Sequence, residues 1–380
     1  MHSSNAKLVH AGLLLVPLFL AACGGGGGNG DGGSATAPAG DTTTRYFAYV
    51  TNSASNDVWT YSINATTGVL TGLGAPVAAG SVPRQVVVGP SGRFAYVANA
   101  GSNDISTYTI NATTGALTTM GTPVVAGNNP QSIVVHPGGK FAYVLNYRST
   151  DVWAYGVDAA SGALTPVGTP VVAGSSGRPP TSLTVHPNGR FAYVVSSDSF
   201  GSGDISAFAI DAATGALTLA SATAASPYPT YITVEPGGKF AYVSNEGAGS
   251  TVSAYTINPA TGTLTFVAST ASGQQPAGVA VDPGGRFVYA ANASSNNVSA
   301  YTINSASGTL TAAGAPVPAG TGPFSVNVDP SGRFAYVANQ DSNNITSYTI
   351  DPATGALTAL GAPQAAGTNP SSITTIRTIQ

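Results

Sequence analysis

The chain has 380 residues, of which 7% are charged and 43% hydrophobic, with 48 Gly, 26 Pro and a formal net charge of −3. Charge this sparse, with no basic run, leaves no electrostatic footprint for nucleic acid. No sustained helical periodicity follows the first 25 residues, and so much Gly and Pro suits many short buried strands joined by tight turns.

The amino terminus reads as a targeting segment. Lys7 supplies a weak positive region and Ala11 to Leu20 an apolar run too short to span a bilayer. Leu20-Ala21-Ala22-Cys23 follows and resembles the bacterial lipoprotein box, which implies a signal peptide over 1–22 and lipidation of Cys23. Cys23 is the single cysteine of the chain, so no disulfide or CxxC metal site competes for it. Residues 23–44 then form the lipidated Cys and a Gly-rich tether; as a flexible coil, the 21 residues from Gly24 to Thr44 reach ~25 Å. Gly24 behind the Cys resembles lipoproteins sent to an outer membrane, so the expected partner here is a membrane, with the domain facing periplasm or surface.

From residue 45 to 380 one strand recurs seven times, starting at Phe47, Phe94, Phe141, Phe191, Phe240, Phe287 and Phe334, at spacings of 47 to 50 residues. A period in this range, each unit holding several short strands, predicts one all-β domain: a seven-bladed β-propeller of four-stranded antiparallel blades. The second unit serves as the template. Strand a is Pro83 to Val88, the turn Gly89-Pro-Ser-Gly-Arg93 leads to strand b from Phe94, strand c runs from Asp104 to Ile110, and Asn111-Ala-Thr-Thr-Gly115 turns into strand d. Pro presets φ in the first turn; the Asx side chain and a positive-φ Gly shape the second. These second turns bring at most one carboxylate each, so they are not calcium loops, and no metal or cofactor is expected. His136 and His186 open a–b turns, where other copies have Gly, Asp or Glu, and read as turn residues.

Strand b appears at Phe47 with no strand a before it, while a lone strand a, Pro370 to Ile376, ends the chain. The carboxyl-terminal strand is therefore expected to complete blade 1 and close the ring. Strands alternate in direction, which puts the monotonous a–b and c–d turns on one rim and the variable d–a and b–c loops on the other. The unusual residues of the loop rim fall in blades 2 to 5 and mark the candidate ligand site: Arg84, Gln85, Tyr147, Arg148, Arg178, Tyr231 and Glu246, with the three arginines expected to converge on a small anionic or polar ligand or a protein partner. Trp59 and Trp153, in strand c of blades 1 and 3, read as packing residues.

The blade pattern, Pro-x-x-x-x-Val-x-Pro-x-Gly-Arg-Phe-x-Tyr-Val-x-Asn, with Tyr49-Val50-Thr51-Asn52 in its first copy, resembles the lactonase-type propellers, which include 6-phosphogluconolactonases, and the overlapping YVTN repeats. That resemblance implies a lactone hydrolase acting on an envelope or extracellular lactone, with Glu246 as the catalytic candidate in Asn245-Glu246. The family's enzymes tend to carry His at the start of strand a, where this chain has Gln85, Ser132, Ser182, Tyr231, Gly278, Ser325 and Ser372. The departure favours a lipid-anchored binding or interaction module as the first expectation, lactone hydrolysis as the alternative, and an adhesion scaffold as the third.

Overall fold

A computed structural model describes residues 44–174 and 178–379. Cys23 and the rest of the amino-terminal segment lie outside the described residues. The propeller has seven antiparallel sheets, and the strand order within each follows the chain as a-b-c-d. Blade 1 is the exception in connectivity: its strand b, Thr44–Asn52, pairs with Pro370–Ile379, so the carboxyl-terminal strand is its strand a.

The seven strands a, Pro83–Val88, Pro130–Val135, Pro180–Val185, Pro229–Val234, Pro276–Val281, Pro323–Val328 and Pro370–Ile379, contact one another in succession and surround the axis. Outward from them, strand b presents large residues on one face and small ones on the other. Phe47 and Tyr49 of blade 1 pack on Ala95 and Val97 of blade 2, and the same large-on-small contact repeats around the ring until Phe334 and Tyr336 of blade 7 meet Ala48 and Val50 of blade 1. Blade 6 reverses the small pair to Val288 and Ala290, which keeps its volume and still accepts Phe240 and Tyr242. There are thus seven separate cores, each lying between two blades, and burying each Phe contributes about 1.5–3 kcal/mol.

Turn chemistry follows from these cores. The c–d turn of each blade lies over the Phe of the preceding one: a Cβ on Gly115 would sit 2.4 Å from the Phe47 ring, and Gly115 has a φ of +72°. Glycine is required there twice, by conformation and by space. The Tyr49 hydroxyl donates to the Gly115 carbonyl at 2.9 Å, a bond repeated by Tyr96, Tyr143, Tyr242, Tyr289 and Tyr336. The Arg of the Pro-x-Gly-Arg turn reaches the same neighbouring turn. Arg333 donates to the Ala65 and Thr66 carbonyls at 3.1 and 3.2 Å while its guanidinium lies 5.1 Å from the centre of the Phe334 ring, and Arg93, Arg190 and Arg286 do likewise. His136 and His186 are braces of this kind: each Nδ1 accepts from a backbone N–H of its own turn, which leaves Nε2 as the donor to Gly189 and Gly238.

Strand d departs from the single strand expected. In blades 1, 2, 6 and 7 it is broken in two, as in Leu117–Thr119 and Val124–Val125, because Gly-x-Pro inserts a positive-φ Gly and removes an N–H. Blade 3 absorbs the same Gly168-Thr-Pro170 as a register shift within Leu164–Val172. Trp59 and Trp153 stack on Tyr61 and Tyr155, with ring centres 6.3 and 6.4 Å apart, and pack against the cores as expected.

Blade 4 lacks the bonded amide that its siblings place at the end of strand b. Elsewhere an Asn ends strand b; Asn99 Nδ2 donates to Asp104 Oδ1 at 2.7 Å and to Ser106 Oγ at 2.9 Å. Blade 4 has Ser196 instead, and the buried Ser196 and Ser206 hydroxyls have no partner. Ser196→Asn is therefore expected to restore the network and raise stability by about 1 kcal/mol, read as a higher urea midpoint; a lower midpoint would show that the blade has closed around the serine. Deleting residues 371–380 removes the strand that closes the ring and exposes two cores, so the melting temperature should fall by at least ~10 °C. An unchanged value would mean that blade 1 is stable with three strands.

Candidate functional site

Each strand a begins with Pro at the loop rim, and the next two side chains point to the axis or to the neighbouring strand. At the second position the hydroxyl stitches the ring: Thr230 Oγ1 donates to the Pro276 carbonyl at 3.0 Å and Ser371 Oγ to that of Pro83 at 2.8 Å. At the third, the side chain accepts from the next strand, Ser182 Oγ from Ile232 N–H and Ser325 Oγ from Ile373 N–H, both at 3.3 Å. Residues at one or both of these positions in every blade, among them Thr230, Ser325 and Ser371, line one axial pocket of about 450 Å³, a size suited to a small molecule.

Six of the seven residues singled out from sequence lie together there: Arg84, Gln85, Tyr147, Arg148, Tyr231 and Glu246. Gln85 is the pivot. Its Oε1 accepts from Ile133 N–H at 2.9 Å, and its Nε2 donates to the Tyr231 hydroxyl at 3.3 Å, so one side chain joins blade 2 to blade 5. That bond spans the axis and forms a floor. Burial raises the Tyr231 phenol above its ordinary pKa, which keeps it a neutral partner.

Above the floor the ionic groups are uncompensated. Among the described residues, neither the Arg84 nor the Arg148 guanidinium has an ion-pair or hydrogen-bond partner, and the Arg84 Nε is buried. Desolvation pulls the Arg84 pKa down, although an arginine remains charged at any physiological pH. The Glu246 side chain, half-buried at the end of strand b of blade 5, also lacks a partner, and burial raises its pKa above the usual carboxylate range. Ser132, 3% exposed, turns an unpartnered hydroxyl into the same space. Two free cations, one reluctant carboxylate and a free hydroxyl around a cup give the chemistry to hold an anion or a polarised carbonyl and to move a proton.

Arg178 does not join them. Its Nε donates to Asp198 at 3.0 Å and its Nη1 to Asp204 at 3.3 Å, and it lines a separate open groove with Phe200. The expected convergence of three arginines is thus corrected to two; the longer b–c loop of blade 4 brings Asp198, which claims the third. The small residues Ser132, Thr181, Thr230, Ser325, Ser371 and Ser372 were not singled out, although their fixed place two or three residues into strand a is the signal that would have found them. Among the described residues, no cluster of His, Cys, Asp and Glu could hold a metal ion.

Such a ring, with an axial pocket on its loop rim, belongs to the lactonase seven-bladed β-propeller family, whose model matches residues 42–128, 85–178, 173–239, 225–324 and 318–374. The fold is shared with the periplasmic gluconolactonase PpgL of Pseudomonas aeruginosa, at 21% identity and a TM-score of 0.73 over 88% of this chain and 99% of that one. A candidate 6-phosphogluconolactonase of Bacteroides fragilis is similar at 23% identity and a TM-score of 0.76, over 87% and 98% of the two chains. No curated protein matches the sequence.

Gln85→Leu leaves Ile133 N–H, which is buried, without its acceptor and should cost about 1–3 kcal/mol in chemical denaturation. A neutral effect would show that the floor is held by packing alone.

Proposed function

We propose that the protein is a lipid-anchored lactone hydrolase of the cell envelope, acting on a small polar lactone held in the axial pocket. The observation that carries this reading is the partnerless, half-buried Glu246 carboxyl, with its raised pKa, in one cup with the free guanidiniums of Arg84 and Arg148. Water adds to the lactone carbonyl carbon as Glu246 takes its proton. The ring C–O bond then breaks, the alkoxide receives that proton, and a hydroxy acid is left whose carboxylate the arginines hold. The names of the propellers that share the fold, a periplasmic gluconolactonase among them, agree with a sugar lactone as substrate.

A base acts when deprotonated, so turnover should rise with pH along a limb centred above the ordinary glutamate value of 4.5. With δ-gluconolactone in a pH-stat assay, Glu246→Gln should lower kcat by about 10²-fold or more and abolish that limb. Arg84→Ala should raise KM by about ten- to a hundredfold, the loss of a charge-assisted hydrogen bond. Equal turnover by Glu246→Gln and the parent protein sinks the hydrolase reading.

The second reading is binding without turnover. It is favoured by Gln85, which stands where the family's enzymes tend to carry His and is committed to the floor. Gluconate binding that is lost in Arg84→Ala, with no lactone turned over, would select it.

A further inference from the structure

The two rims differ in charge. Of the Lys, Arg, Asp and Glu in the propeller, the turn rim carries eight cations and six carboxylates, and the loop rim three cations and seven carboxylates. On the turn rim all eight cations are exposed, whereas Glu235, Asp282 and Asp329 are buried, their carboxylates taken up by the N–H groups of their own turns. Four cations hold the neighbouring turns, as described; the other four, Arg45, Lys140, Lys239 and Arg377, have no partner among the described residues. The chain also enters the propeller here. Thr44 opens strand b of blade 1 at this rim, paired with Ile379, and the axial pocket opens on the other.

We propose that the turn rim is a docking face for an anionic phospholipid bilayer, which leaves the pocket open to the aqueous side. The orientation, though not the charge, rests on reading Cys23 as the lipid anchor. A tether that joins the domain at this rim brings these cations toward the headgroups first. Exposed Lys and Arg are attracted within about one Debye length, ~8 Å at physiological ionic strength. A basic face is also the second signal that makes lipid anchoring stable.

The test uses the chain from residue 23 carrying Cys23→Ser, sedimented with phosphatidylcholine vesicles that contain or lack phosphatidylglycerol. Binding is expected with phosphatidylglycerol and to be lost at high salt. The triple variant Lys140→Glu, Lys239→Glu, Arg377→Glu should weaken it at least tenfold with an unchanged melting temperature, and Arg148→Glu on the loop rim should not. Equal binding to both vesicles, no binding, or an equal loss in Arg148→Glu overturns the proposal. Incorporation of labelled palmitate into the full chain reports the anchor separately: phosphatidylglycerol binding without acylation retires the anchor reading and supports the docking face.

Discussion

Everything in this ring depends on the fit between the Phe and Tyr face of one strand b and the Ala and Val face of the next. A single sheet with apolar residues on both faces cannot bury either alone, so no blade has a core of its own. The contact is directional, large always facing forward along the chain, and it fixes the angle at which one blade follows another. The turn glycine beneath each Phe, the tyrosine hydroxyl bonded to its carbonyl and the arginine lying over the ring serve that same contact. They explain why the turn rim is monotonous: its residues are constrained by neighbours as well as by their own turns.

The loop rim is free of that constraint, and the pocket is built where the freedom is greatest, two and three residues into strand a. Hydroxyls there hold adjacent strands together, so replacing one with a larger group changes both the ring and the cup. Gln85 shows this double duty. It binds Ile133 and Tyr231 across the axis, and on the hydrolase reading proposed above the proton transfer is assigned to Glu246 on the other wall. The Arg84 guanidinium, whose Nε is buried, is left without a protein counter-ion, which costs stability, and the exposed Arg148 beside it adds a second positive charge that favours an anionic occupant.

Strand b could be read from sequence because it carries the packing constraint in every copy, and closure of the ring followed from counting strands. The broken outer strands could not, since Gly-x-Pro yields two strands in blade 2 and one shifted strand in blade 3. For the pocket, five charged or aromatic exceptions to the repeat and Gln85 share it. Arg178 misled because sequence shows a cation and not its partners, and the Asp198 that claims it arrives from a loop of different length. Ser132 was overlooked for the opposite reason: a serine in a chain rich in serine carries no contrast until its hydroxyl is seen buried and unbonded.

The pairing of Thr44 with Ile379 sets the two ends of the propeller side by side on one rim. The fold is thereby a circle interrupted at one point, and the position of the break is a property of the gene and not of the packing. A short linker across this gap, with new termini opened in any a–b turn, the counterpart of the natural break, would give a permuted chain with all seven inter-blade cores intact. The ring could then be attached to a surface through a blade of choice, turning a different sector of the loop rim outward.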